Sequence, residues 1–238
     1  GFEFAYLLNN DTKVTSGFMS EAFRVMDGDA GIAAVGSTIV FADEQWVKFD
    51  GKCHKRGEKS FCKAQQCTVQ PAVETNGAGM LVRLAAMKRD GWFDERFFCY
   101  GEETDWCLRM VRRNWRLAVT SHSIVYHKCE GSDTNTNALY YRVRNRFLAC
   151  RTEGKRSSLA VKVELVRSAL RMAYECWRSG NEEGLLAMTA ALRDGSMGRF
   201  GRRLELPVGL PWNVLVNAYC RLLRSYKAVE ARIRRPAG

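Results

Sequence analysis

Short apolar runs and amphipathic stretches alternate over the first 130 residues. Phe4–Leu8 (FAYLL) is an apolar run closed by the polar Asn9-Asn10-Asp11-Thr12, which predicts a buried strand ending in a turn. A helical pattern follows over Ser16–Met26. Gly31–Phe41 (GIAAVGSTIVF) is apolar and β-branched and predicts a second buried strand region. Residues 42–75 are polar, irregular and rich in Lys, Gln and Cys, and read as a surface excursion carrying a hairpin. Gly77–Arg83 (GAGMLVR) couples close-approach glycines to a short strand, and Leu84–Asp90 reads as a short helix stopped by Gly91. Glu103, Trp106 and Met110 lie at helical spacing, so a helix is expected to begin near Glu102. Leu117–Thr120 and Ser123–Tyr126 read as two strands. Strands alternating with helices predict an α/β fold.

After about residue 135 the period becomes helical throughout, which divides the chain into an α/β part, 1–135, and a helical extension, 136–238. Val163, Val166, Leu170, Ala173 and Trp177 form one apolar stripe. Trp212, Leu215, Tyr219, Leu222, Tyr226, Val229 and Ile233 form a longer one, flanked by Arg221, Arg224, Lys227, Arg232, Arg234 and Arg235. Each stripe is expected to dock onto the main domain, and the basic one also suits an anionic membrane surface.

Charge and cysteine content narrow the picture. The formal charge is +11, yet Glu102, Glu103 and Asp105 are crowded into four residues next to Phe97, Phe98 and Tyr100. Nine cysteines without repeating spacing read as reduced thiols, which places the protein in the cytoplasm. Cys53, His54, Cys62 and Cys67 cluster, but without a CxxC pair they read as surface or core thiols rather than a zinc site. No run of eighteen apolar residues occurs, so no bilayer-spanning helix is expected. No secretory pattern opens the chain, and an ordered strand so close to Gly1 leads us to expect a segment upstream.

Three features carry the candidate chemistry. Each has a plain reading by itself: Asn9-Asn10-Asp11 as a turn, the acids as favourable charges at a helix start, His127 as a polar strand end. Together they are a carboxylate, an acidic cluster and an imidazole at the ends of separate strands, the edge where α/β sheets bind ligands. Such a set suits a hard divalent cation, Mn2+ or Mg2+, with a base beside it.

The segments YLLNNDT, GAGMLVR, GWFDERFFCYGEETDWCLR, SIVYHKCEGS and YYRVRNRFLACR, with a weaker ALRDGSMGRFG, occur in order over most of residues 1–200. With them the sequence resembles family-two glycosyltransferases of the GT-A fold, near the rhamnosyltransferase-like members. The resemblance implies a Rossmann-like fold lacking its first βαβ unit, which is expected before Phe4. It implies that Asp11 and His127 ligate the metal, with Asn9 and Asn10 at the nucleotide sugar and Lys128 at phosphate. It places the general base at Glu103 of the Glu102-Glu103 pair, where the family usually has Asp, with Asp105 in reserve. Gly77, Ala78 and Gly79 would let sugars approach, and Trp92 and Tyr100, with Phe98 and Trp106, would wall the pocket. The implied reaction is inverting transfer of rhamnose or a related hexose from a nucleotide-diphosphate donor to a glycan or lipid-linked hydroxyl, and the basic tail leads us to expect it peripherally at the inner face of the plasma membrane.

Two other functions fit part of the pattern. A basic membrane- or polyanion-binding module would need no metal. A metal-dependent phosphohydrolase would use the same Asp, Glu and His but hydrolyse without transfer. No nucleic-acid motif is present, and the aromatics do not interleave with the basic run, so nucleic acid is not an expected partner.

Overall fold

The computed structural model describes residues 1–41, 46–49, 52–55, 69–128, 135–152, 159–203 and 210–233, with side chains over 1–41, 69–128, 135–152, 160–203 and 213–225. Cys62 and Cys67 fall outside the described residues, as do the side chains of Cys53 and His54. The chain forms two compact units, residues 1–94 with 102–130 and residues 95–101 with 131–238.

The first unit is built on one mixed sheet. Its strands are β1 (Phe4–Leu8), β2 (Thr12–Val14), β3 (Ile32–Phe41), β4 (Trp46–Phe49), β5 (Lys52–Lys55), β6 (Val69–Ala72), β7 (Gly79–Arg83) and β8 (Arg116–His127). β3 and β8 run parallel side by side. From β3 the sheet continues antiparallel through β7 to β1. The far edge of β8 takes β6 along 117–120 and β2 along 125–127. Ile32–Ile39 of β3 is buried without a break, as a central strand covered on both faces requires. The expected hairpin within 42–75 is the β4–β5 pair.

Helices α1 (Phe18–Asp27), α2 (Leu84–Asp90) and α3 (Glu102–Arg112) cover the sheet. Successive strand residues point to opposite faces, and the packing partners follow that rule. Ala22, Val25 and Met26 of α1 pack with Val35, Leu81 and Ala118. Met87 of α2 and Trp106 and Met110 of α3 pack with Ala34, Met80, Val82 and Leu117, one residue along the same strands. The unit is therefore a layered α/β structure with helices on both faces.

One strand differs from expectation. Leu117–Thr120 and Ser123–Tyr126 are not two strands but parts of the continuous β8. Against β3, Ser37 pairs with Thr120 and Thr38 with Ile124, so residues 121–123 are bulged. The polar run Thr120–Ser123 looks like a break in sequence because its partners are distant in the chain. Ser123 bonds the Ser37 hydroxyl at 2.5 Å, Ser37 also meets the Tyr6 hydroxyl, and Thr38 donates to the Thr120 carbonyl at 3.1 Å.

The second unit is helical: α4 (Thr136–Thr152), α5 (Leu159–Arg178), α6 (Glu182–Met197) and α7 (Leu210–Ile233), with segment 95–101. Ala187, Met188, Ala190 and Ala191 of α6 share one core with Tyr140 and Phe147 of α4, Ala169 and Ala173 of α5, and Val216 and Cys220 of α7. Alanines let the neighbours approach closely, and Gly195 lies directly under the Phe147 ring. Asn181 caps α6, accepting from the Gly184 amide at 2.8 Å. At its other end, buried Asp194 accepts from Tyr140 at 2.8 Å, Arg203 Nε at 3.0 Å and Arg193 Nε at 2.9 Å. Burial opposes that charge, but these hydrogen bonds outweigh it and hold the carboxyl below its usual range.

Both expected stripes hold in part: Leu170, Ala173 and Trp177 of α5 and Tyr219 of α7 lie in or against the core. On α5 the buried side is Ala169, Ala173 and Tyr174, while Val163 and Val166 are exposed. On α7 the buried side is Val216 and Cys220 with half-buried Tyr219 and Leu223, while Leu215 and Leu222 are 64% and 71% exposed. In each helix the apolar side is broader than the expected stripe, and the core takes the part that meets the alanine-rich α6.

Candidate active site

In the α/β unit β1, β3 and β8 run in the same direction, and their C-terminal ends define one edge of the sheet. Asn9-Asn10-Asp11 follows β1 at that edge, and His127 closes β8 opposite Thr12 and Phe41. The turn is drawn tight: Thr12 Oγ1 donates to the Asn9 carbonyl at 2.6 Å, and the Lys128 amide donates to the Asp11 carbonyl at 3.1 Å. Asp11 Oδ1 lies 3.1 Å from His127 Nε2, and Asn9 Nδ2 lies 3.2 Å from the same nitrogen. Residues 116 apart in sequence thus share one small site. His127 is the more enclosed of the two, with its side chain 14% exposed against 36% for Asp11. Asn10 and the Lys128 side chain are exposed beside them.

The acids reach the same edge by another route. Leu8, the last residue of β1, pairs with Gly79, the first of β7. Just before Gly79 the chain makes a turn held by Asn76, whose side chain accepts from the Ala78 amide at 2.8 Å and whose carbonyl accepts from the Gly79 amide at 3.0 Å. Buried Thr75 meets Met80 and Cys107, which fixes the turn to α3. A Cβ on Gly77 would lie 3.8 Å from the Glu103 side chain, so Glu103 stands over this glycine. Ala78 and Gly79 are small for a different reason than expected. Ala78 is buried, and a Cβ on Gly79 would come 3.0–3.2 Å from Val125, Ile39 and Ser37. These two residues serve packing, and Gly77 is the one beside a carboxylate.

Glu102, Glu103 and Asp105 all occupy the first turn of α3, where the helix macrodipole favours negative charge. Their environments differ. Asp105 is buried and paired with Arg109 Nε at 2.8 Å, an engagement internal to the helix. Glu102 Oε2 is buried without a hydrogen-bond partner among the described residues. Burial, and then the neighbouring Glu103 charge, raise the Glu102 carboxyl from 4.5 to about 7. The folded protein therefore binds an extra proton at Glu102 between about pH 4.5 and 7. Stability falls as pH rises through that window, and the full penalty stands above it. Glu102→Gln is expected to stabilise the protein above pH 7 by about 1–2 kcal/mol after allowance for solvent screening, and not below pH 4.5. Urea unfolding at pH 4 and pH 8 measures this, and an equal gain at both would clear Glu102 of the effect.

The aromatic wall is only partly as expected. Trp92 is 57% exposed, with its carbonyl held by Arg109 at 2.8 Å. Trp106 is fully buried, donates to the Gly91 carbonyl at 3.0 Å and packs on Phe93, so it is a core residue rather than a pocket wall. Phe98 and Tyr100 belong to the helical unit, with Phe98 against Tyr141 and Arg142 over the Tyr100 ring.

Asp11 and His127 supply two donors suited to a hard cation. Among the described residues no group of three or more His, Cys, Asp or Glu gathers as a metal site. Two protein donors nevertheless fit Mg2+ or Mn2+ at a diphosphate, because such ions complete their shells with phosphate oxygens and water.

A sheet edge with this arrangement accords with the model of the glycosyl transferase family group 2, which matches residues 5–171. The chain belongs to that family. The match includes the Asp11 turn, the acid helix and His127 in one span, so this glycosyltransferase domain is an α/β structure of GT-A type. Curated relatives include N-acetylglucosaminyl-diphospho-decaprenol L-rhamnosyltransferase from two strains of Mycobacterium tuberculosis, CDC 1551 / Oshkosh and ATCC 25618 / H37Rv. Each is 34% identical, over 43% of this chain and 38% of the relative. The chain thus spans well under half the length of these relatives.

The sequence reading missed the buried Arg144-Asn145 pair of α4 as a structural centre. The available signal was a charged and an amide residue set among Tyr140, Tyr141, Val143 and Phe147 at positions a helix must bury.

Proposed function

We propose that the full-length protein is an inverting glycosyltransferase. It moves rhamnose or a related hexose from a nucleotide-diphosphate donor to a hydroxyl of a glycan or lipid-linked acceptor. The observation that carries this reading is the placement of Asp11, His127 and Glu103 along one sheet edge, in a chain of this family.

In this mechanism Glu103 accepts the proton of the acceptor hydroxyl as that oxygen bonds the anomeric carbon. The bond from that carbon to the diphosphate breaks from the opposite side, and the configuration inverts. Glu102 holds its own proton near neutral pH, which keeps a second full charge away from Glu103. Asp105 is committed to Arg109, which favours Glu103 over it as the base. Asp11 and His127 would hold a Mn2+ or Mg2+ ion, which when bound offsets the charge of the departing diphosphate. Asn9 and Asn10 flank the donor sugar, the exposed Lys128 faces phosphate, and Gly77 and Trp92 border the acceptor.

The same reading places the protein at the cytoplasmic face of a membrane. No helix of the described residues is long and apolar enough to cross one. Support comes from α7, which exposes Val214, Leu215 and Leu222 along one side, and residues 210–238 carry six Lys or Arg against Glu230 alone. An amphipathic helix of this kind lies in an interface, with about 1 kcal/mol gained per basic residue near anionic lipid. One experiment tests both parts. The protein is incubated with nucleotide-diphosphate rhamnose and vesicles bearing a polyprenyl-diphosphate-linked sugar. The expected results are a glycosylated lipid with inverted anomeric configuration and co-sedimentation that rises with anionic lipid content. Free rhamnose without lipid product would identify a phosphohydrolase-like activity instead. Binding indifferent to anionic lipid would remove the membrane assignment.

A further inference from the structure

We infer that Ser37, Ser123 and Tyr6 are positioning residues, whose hydroxyls pin the bulge of β8 and so turn His127 to the face where it meets Asp11. The inference rests on the reading of Asp11 and His127 as the metal-holding pair, and every residue in it belongs to the α/β unit. Beyond Ala34 the side chains of β3 alternate faces, and partners in register share a face. Ala118 therefore stands with Val35 under α1, and Leu117 stands with Ala34 under Met87 and Trp106. In a regular strand the even-numbered residues would keep the α1 face as far as Tyr126, and His127 would point to the other one. Residues 121–123 interrupt that count. They are three residues without a partner on β3, an odd number, so the alternation inverts beyond them. Val125 packs with Ile39 and Phe18, and His127 pairs with Phe41 on the same side.

The hydrophobic pattern does not decide where the extra residues sit, because Ser121, His122 and Ser123 are all polar. Hydroxyl contacts decide it. Ser123 Oγ lies 2.5 Å from Ser37 Oγ, and Ser37 Oγ also meets the Tyr6 hydroxyl, so one chain links β8, β3 and β1. Ser37 and Ser123 are buried, and Tyr6 is half-buried with its ring edge-on to Phe18 at 5.2 Å. Hydroxyls withdrawn from water need partners, so each member of the chain holds the others in place. Further polar contacts close both ends of the bulge. Thr38 donates to the Thr120 carbonyl at 3.1 Å, and the Ile124 carbonyl accepts from the Thr15 amide and hydroxyl, each at 3.3 Å. Ser37 lies four residues before Phe41, the partner of His127, so its effect reaches the site through strand register.

The test uses Ser37→Ala in the full-length protein, which removes the middle of the chain and little volume. Two readouts need no turnover. Hydrogen exchange of the 124–127 amides is expected to rise about tenfold or more. The Kd for Mn2+ alone, read from the paramagnetic resonance of free Mn2+, is expected to rise about tenfold. Val25→Ala thins the α1 core without touching the chain, and it is expected to lower stability while leaving Mn2+ affinity within about twofold. Ser37→Ala with Mn2+ affinity near wild type, or with unchanged exchange at 124–127, refutes the inference. An equal loss of Mn2+ affinity in Val25→Ala refutes it too, because general instability then explains the effect. His127→Asn separates the inference from its premise. If that variant binds Mn2+ as wild type does, the metal reading fails, and exchange at 124–127 alone decides whether the chain pins the bulge. If Ser37→Ala does not fold, Tyr6→Phe removes one link and is expected to weaken Mn2+ binding about threefold, an unchanged Kd counting against the inference.

Discussion

Glu103→Gln lowers kcat by about 10²–10⁴-fold while donor binding survives, which is the expected result of removing a general base and little else. Gln keeps the shape of Glu over Gly77 and the start of α3, so the fold is not the quantity under test. What is lost is a group able to accept the acceptor's proton. The neighbours do not substitute for it. Asp105 is paired with Arg109, and Glu102 holds its proton until about pH 7. Steady-state kinetics with calorimetry of donor binding measures both halves. A comparable loss from Asp105→Asn instead, with Glu103→Gln near wild type, would move the base by two residues.

Asp11→Ala is expected to abolish transfer and, separately, to remove the dependence of donor binding on Mn2+. The second readout matters because a turn can be damaged for other reasons. Asp11 lends its carbonyl to the Lys128 amide as well as its carboxylate to His127, and Ala keeps the carbonyl. The variant therefore takes away one hard oxygen donor and leaves the β2–β8 pairing in place. Charge stabilisation of the leaving diphosphate by a metal is worth several kcal/mol, so a loss of about 10³-fold or more in turnover is the scale to look for. Turnover within tenfold of wild type, or donor binding that still responds to Mn2+, would take Asp11 out of the site.

The strands and helices of the α/β unit were legible because their periods are local. Phe4–Leu8, Gly79–Arg83 and Leu84–Asp90 fall where the apolar runs and glycines put them. The long β8 was not, since its bulge is stabilised by Ser37 and Thr38 from another strand. The helical stripes were half legible. Period alone cannot tell which part of a broad apolar side a neighbour will take: Leu170, Ala173 and Trp177 meet the core, while Val163, Val166, Leu215 and Leu222 stay exposed. The close packing of Ala78 and Gly79 on Val125 and Ile39 was not legible, because those partners come from other strands.

The sequence by itself determined the alternation of strand and helix, the helical character after residue 135, the crowding of acids at a helix start and the motifs that mark the family. Those are properties of residues close in the chain, where spacing and geometry are the same thing. Tertiary structure alone decided that Asp11 meets His127, that Glu102 Oε2 is buried without a hydrogen-bond partner among the described residues and that Asn145 meets the backbone of Phe97, Cys99 and Tyr100. Such contacts depend on sheet register and on desolvation, and both are set by which distant surfaces come to cover one another.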